Sequence, residues 1–268
     1  MSAPIDRAWY VYAVIAPGQP APDVPGLLPG TTVDAISFGT VDVLATLVPR
    51  ALFEDGQDGN RTDDPDWMAE RAAAHHAVVA AAASRQACLP LGFGTLFSSL
   101  DRLAEWLRPR AAALRDGIAR IAGAAEWCLA ICADPARHGA WLARHDAELQ
   151  RLARQAETAG AGTAFLLAKR IDKAQVAARL GHLASVEARI SALLMATGWP
   201  VLAERQRDGS PAWSILAPAD AAAAPLVQQW LAVITEELAP SGLAVRLTGP
   251  WPAYAFARAA MQAEAAHV

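Results

Sequence analysis

The sequence predicts an α+β protein of two domains, and three observations lead there. The opening run "AWYVYAVI" (8–15) is aromatic and β-branched, as a buried strand should be. Apolar residues recur at spacings near 3.6 from Leu103 to Ile121 and again from Val176 to Leu194, the signature of amphipathic helices. A fresh strand pattern, "AEWCLAIC" (125–132), starts directly after Gly123, so the alternation of strands and helices begins again there. These patterns divide the chain into an N-terminal α+β domain, 1–123, and a C-terminal one, 124–268.

In the first domain the opening strand runs into "APGQPAPDVPGLLPG". Its five prolines and three glycines exclude a helix or a central strand. "TVDAISFGTVDVLATLV" reads as a hairpin turning near Gly39. After the acidic loop "EDGQDGNRTDDPD", a helix starts near Pro65. "CLPLGFGTLF" is extended around Pro90, and a second helix follows from about Ser99 with Leu103, Leu107, Leu114, Ile118 and Ile121 on one face.

In the second domain, one helix is expected from Pro135 to about Glu157, with Leu142, Leu149 and Leu152 on one face, broken by "TAGAG". A long helix from about Thr163 to Thr197 carries Val176, Leu180, Leu183, Ile190 and Leu194 as a stripe. At about 1.5 Å per residue it is on the order of 50 Å long, so one end should project or pack beyond its domain. Two strands around the Asp208-Gly209 turn, a helix from about Asp220 to Leu238 and the strand "GLAVRLT" complete the pattern. The order is a modified ferredoxin-like βαββαβ, with an extra helix forming a helical hairpin and an aromatic C-terminal tail.

Composition narrows the function. Hydrophobic residues make up 54% of the chain and mean hydropathy is +0.19, but alanine inflates both. No run reaches the roughly 18–20 apolar residues of a membrane span, and the N-terminus lacks the order of a secretory signal. A cytoplasmic, soluble protein is expected. A net charge of −4 argues against nucleic acid. Cys88, Cys128 and Cys132 sit in apolar segments without framework or metal-ligand spacing, which reads as reduced, buried thiols.

Catalytic patterns are missing. "GFGTLF" has Phe97 where a dinucleotide loop needs its third glycine. In the acidic loop, counting from Asp58 puts Asp63 where a calcium loop needs glycine and Ala69 where it needs glutamate, which leaves a solvated loop. His75 and His76 point about 100° apart on a helix, and His138 and His145 share a face without a third ligand. No cofactor, metal or catalytic residue is assigned.

Short motifs carry the remaining signal: "WYVYAVI", "DWMAERAAAHHAVV" with Trp67 and His75, "LPLGFGTLFSS" through Pro90, Phe93, Gly94, Thr95 and Phe97, "AEWCLAI" with Glu126-Trp127, "GTAFLLAKR", and "LTGPWPAYAF". Six motifs in this order resemble the gas vesicle accessory proteins of the GvpF/GvpL family over nearly the whole chain. Two positions depart from the family pattern: Phe165 stands where tyrosine is usual, and Cys128 where the family is often polar.

The resemblance implies a non-enzymatic assembly factor or minor component of gas vesicles, the hollow protein shells that confer buoyancy. It would be cytoplasmic before assembly and would bind the hydrophobic shell protein and other accessory proteins. Shielding an apolar subunit from aggregation during nucleation needs a complementary surface and no nucleophile. Candidate partner-binding residues are Phe93 and Phe97, Lys169 and Arg170, and Trp251, Tyr254 and Phe256, with core packing as the competing role of the aromatics. The residues leave open a ligand- or haem-binding enzyme or sensor on paired ferredoxin-like domains, with His75 or His138 as axial ligand, and a structural shell component. "GPWPAYAF" is expected to leave the last strand as an extended, semi-rigid strap, because Pro250 and Pro252 fix their own φ and bias their predecessors away from the helix.

Overall fold

The computed structural model describes residues 6–53, 64–219 and 223–262. It is a mixed α/β structure with two sheets, and its contacts divide it into two compact units, Met1–Glu126 with Pro250–Val268, and Trp127–Gly249. The joints fall at Glu126/Trp127 and once more at Gly249/Pro250, where the chain returns to the first unit. Asp58 and Asp63 of the acidic loop lie outside the described residues.

The first unit is organised around β1 (Arg7–Ile15). Every side chain from Tyr10 to Ile15 is fully buried, which is why this strand reads as a continuous apolar run rather than an alternating one. It pairs antiparallel with β3 (Asp42–Pro49), which pairs with β2 (Asp34–Ser37), and on its other edge with β4 (Cys88–Pro90) and β5 (Leu96–Phe97). The hairpin turns through Gly39 at φ 83°, a left-handed conformation that suits glycine. The β1–β3 register slips at Tyr12, which is the extra residue of a bulge between Val11 and Ala13.

That bulged tyrosine anchors the proline-rich loop. Its hydroxyl accepts from the Leu27 N–H at 2.7 Å and donates to Thr46 Oγ1 at 2.9 Å, and Thr46 donates on to the Thr32 carbonyl at 2.7 Å. Helix α1 (Pro65–Ala83) begins where Asp64 caps the Asp66 and Trp67 N–H groups, and α2 (Leu100–Ile121) where Ser99 caps Arg102. The α2 stripe expected from sequence, Leu103 to Ile121, is buried.

The second unit holds the sheet β7-β8-β6-β9, made of β6 (Ala124–Ala133), β7 (Val201–Arg205), β8 (Pro211–Pro218) and β9 (Leu243–Trp251). Leu129, Ile131, Trp213 and Ile215 from its two central strands meet Val186, Ile190 and Leu194 of α5 (Ala161–Ala196), and Ile234 and Leu238 of α6 (Ala223–Leu238). Residues 220–222, where the last of these helices was expected to start, lie outside the described residues.

The helix expected over Pro135–Glu157 is two helices, α3 (Pro135–His145) and α4 (Ala147–Glu157). Asp146 ends the first and caps the second, adopting φ −88° and ψ 122° while its side chain accepts from the Leu149 N–H. A capping aspartate gains that bond only by leaving the helical conformation, which breaks the chain at this point. Helices α3 and α4 both pack on α5.

A tight contact fixes α3 against the sheet. Gly242 lies at φ 72°, its carbonyl accepts from the Asp134 N–H at 2.9 Å, and a Cβ there would stand 2.6 Å from the His138 nitrogen. Gly242→Ala should lower unfolding stability by about 2 kcal/mol or more, from the combined strain and clash. Chemical denaturation of the variant beside the parent checks this.

Candidate partner-binding surfaces

In the first unit the aromatic residues of the sequence motifs converge on α1. His75 is buried, its Nδ1 lies 2.9 Å from the Tyr10 hydroxyl, and its ring is edge-on to Phe93. The Tyr10 hydroxyl also accepts from the Gly94 N–H at 3.2 Å, which leaves its proton free for His75. The network therefore assigns the neutral Nε2–H tautomer. That Nε2 is buried without a hydrogen-bond partner in ordinary geometry. Burial, the largest influence, lowers the His75 pKa from 6.5 to about 4, opposed in part by the Leu91 backbone. Desolvation likewise raises the Tyr10 hydroxyl well above its usual range. Phe97 stacks in a tilted contact on Trp106 and sits opposite Trp9 in the β1–β5 pairing.

The closing motif is partly what its prolines imply. β9 stays extended through Trp251, but α7 (Tyr254–Gln262) begins only three residues later. Once past Pro252 nothing forbids helix, since proline is well suited to the positions just before and at a helix start. Buried Glu126 then takes the capping role: its carboxylate accepts from the Ala255 N–H at 2.9 Å. Tyr254 stacks on His76 and its hydroxyl lies 3.2 Å from His76 Nδ1, and burial raises that hydroxyl to about 12. Trp251 packs its edge on the same His76 and remains 42% exposed, while Phe256 is buried.

In the second unit Lys169 and Arg170 are exposed on α5, with the Lys169 ammonium 4.9 Å from the centre of the Phe165 ring. Further along, His182 stacks on Trp141, which stacks on His145 on its other face. Nε2 of buried His138 lies 2.9 Å from His182 Nδ1. Burial and then the neighbouring positive charge lower both pKa values, His182 and Arg179 acting on His138 and Arg189 on His182. His138 thus partners a residue 44 positions away rather than His145, a pairing that helix periodicity does not reveal.

One surface feature was not anticipated. An apolar hollow of about 650 Å³ opens beside α5, β8 and α6, walled by Leu193, Trp199, Ile215, Trp230 and Val233, with Gln229 and Glu237 among its few polar groups. Glu237 is engaged by Arg189. The sequence signal was present in the two tryptophans, but only the fold brings residues 199 and 230 to one rim.

The described residues contain no helix long and apolar enough to cross a membrane and no group of three or more metal-ligating side chains. The gas vesicle synthesis protein GvpL/GvpF family matches residues 8–258. This chain belongs to that family. It is 29% identical over 258 residues to gas vesicle protein L2 of Halobacterium salinarum, covering 92% of this chain and 90% of that one. It is 28% identical over 245 residues to gas vesicle protein L of Haloferax mediterranei, covering 84% and 74%. The crystal structure of GvpF from Anabaena sp. superposes with a TM-score of 0.73 at 17% identity, covering 93% of this chain and 98% of that one, and GvpF from Microcystis aeruginosa with 0.63 at 16%. The GvpL/GvpF fold therefore extends over both units, and the family is one of gas vesicle formation rather than of enzymes.

In that fold the motif aromatics Phe93, Phe97, Tyr254 and Phe256 have packing partners within the first unit, whereas Lys169, Arg170 and part of Trp251 face solvent. His75 and His138, the axial ligands that the alternative haem-binding reading would need, each face another side chain, Tyr10 and His182.

Two predictions follow the geometry. His75 titrates at about 4 when folded and near 6.5 when unfolded. Between those values the unfolded chain binds more protons, so stability present above pH 6.5 is lost as pH falls toward 4. Denaturation across this window should show the slope, His75→Gln should flatten it, and NMR titration of the imidazole should not give an ordinary midpoint. Glu126→Ala removes the acceptor at the start of α7 and should cost about 1–3 kcal/mol in denaturant unfolding, with Glu126→Gln losing less because one acceptor oxygen remains.

Proposed function

We propose that this chain is a non-enzymatic assembly factor that holds the hydrophobic gas vesicle shell protein and hands it to the growing vesicle, acting in the cytoplasm before assembly. The observation that carries this reading is the apolar hollow of the second unit. Its rim leaves Val233 63% and Leu193 42% exposed. Large apolar residues clustered on a surface are costly to leave in water, and such patches mark binding sites. A shell subunit awaiting assembly has apolar surface of its own to hide, and burying the two against each other lowers the free subunit concentration available for aggregation. Family membership supplies the class of partner, other gas vesicle proteins. Minor incorporation into the finished vesicle, and so a contribution to buoyancy, is part of the same reading.

Trp251, Lys169 and Arg170 are secondary contact candidates on grounds of exposure. We read the sheet order β7-β8-β6-β9 of the second unit as a ferredoxin-like arrangement extended by the α3–α5 hairpin. It supports this function by placing α5 and α6 together around the hollow.

The test is capture of the shell protein from a co-expressing cell by Val233→Glu. Because Val233 is mostly exposed, the variant should fold as the parent does, yet capture should fall at least about tenfold, as expected for a carboxylate placed in an apolar contact. Hydrogen exchange should show protection of residues 193–199 and 229–237 when the shell protein is bound. Capture undiminished in the variant, with no protection there, would overturn the assignment of this surface.

A further inference from the structure

Helix α5 carries one stripe that serves two environments. At about 100° per residue, Leu183, Ile190 and Leu194 lie on one side of the helix, where they pack into the core of the second unit. Phe165, Lys169, Asp172 and Val176 continue that same side toward the helix start, within about 60° of one another. There the stripe is open: Phe165 is 62% and Val176 61% exposed, and Lys169 and Asp172 are exposed as well. Helices α3 and α4 occupy the opposite flank, where Leu167 is buried.

The order of residues on this open face is apolar, positive, negative, apolar, with spacings of four, three and four. That spacing is the seam of a coiled coil, and the charge order is complementary to itself when reversed. We propose that this face pairs with the same face of a second copy of the chain, antiparallel, about a two-fold axis passing between Arg170 and Ile171. Each Lys169 then meets Asp172 of the second copy, and each Phe165 meets Val176, so every contact is made twice, as an isologous interface requires. Leu180, itself 63% exposed, reaches the second copy's Ala161, the first residue of α5. The pairing therefore uses the whole overhang. A parallel alignment would instead set Lys169 on Lys169 and Asp172 on Asp172, which like-charge repulsion disfavours.

The apolar layers supply the attraction and the charges set direction. A helix pair about 30 Å long lies at the small end of specific interfaces, so the association is weak and depends on concentration. It is independent of the hollow assigned to the shell protein, which lies at the other end of α5.

Sedimentation velocity of the purified chain over a hundredfold concentration range tests the pairing. The wild type should pass from monomer to dimer. Lys169→Asp alone, and Asp172→Lys alone, should each weaken self-association at least about tenfold. Mixed together, these two variants should form a heterodimer as tightly as the wild type pairs with itself, because the mixture restores opposite charges at both positions. Val176→Glu should abolish association while leaving the unfolding midpoint unchanged. A wild type that stays monomeric throughout, or a mixture that associates no better than either variant alone, overturns the proposal. The first outcome would assign the face to a different gas vesicle protein.

Discussion

A mismatch of length governs the second unit. Helix α5 has 36 residues, about 54 Å at the usual rise. The strands beneath it have five to ten residues and span only about 17–33 Å. A single sheet cannot cover such a helix. Its C-terminal half buries one side on the sheet, and its N-terminal half must be supported from elsewhere. The support comes from α3 and α4, which pack on a different side. The apolar stripe that began as a core face therefore ends as an open one, and the exposed Phe165, Val176 and Leu180 are a geometric consequence of the same helix that builds the core.

This arrangement explains why the unit has surface to offer. Where α5 and α6 part above β8, the hollow walled by Trp199 and Trp230 forms without any special device. Both features consist of apolar side chains left in water on a folded frame. Neither brings together a nucleophile, a base and an orienting group. The two features lie toward opposite ends of α5, so one helix presents two separate apolar surfaces.

The first unit spends its polar groups differently. Tyr10, Tyr12, His75, Tyr254 and Glu126 are all engaged internally, tying loops and the C-terminal helix to a strand buried on both faces. These are the residues of the family motifs. A motif rich in aromatics and histidine suggests ligand binding when read as a string. In the fold Tyr10, Tyr12, His75 and Tyr254 each lie against another ring, and each of these tyrosine hydroxyls has a hydrogen-bond partner, as a buried hydroxyl requires. Half-exposed Trp251 is the exception that still offers an edge to solvent.

Local physics wrote much of this chain plainly. The β1 run, the Gly39 and Gly209 turns, the α2 stripe and the family motifs depend on near neighbours, whose spacing survives in any tertiary context, so the sequence alone determined the α+β class, the family and most of the elements. Even the overhang of α5 followed from counting residues. The break at Asp146 was harder to read, because a capping aspartate and a solvated one look alike until the backbone turns. Three further matters belonged to tertiary structure alone: that His138 faces His182, that Glu126 caps a helix 129 positions away, and that Trp199 and Trp230 share a rim. Each joins residues far apart along the chain, and no periodicity of a single element encodes which distant side chain it will meet.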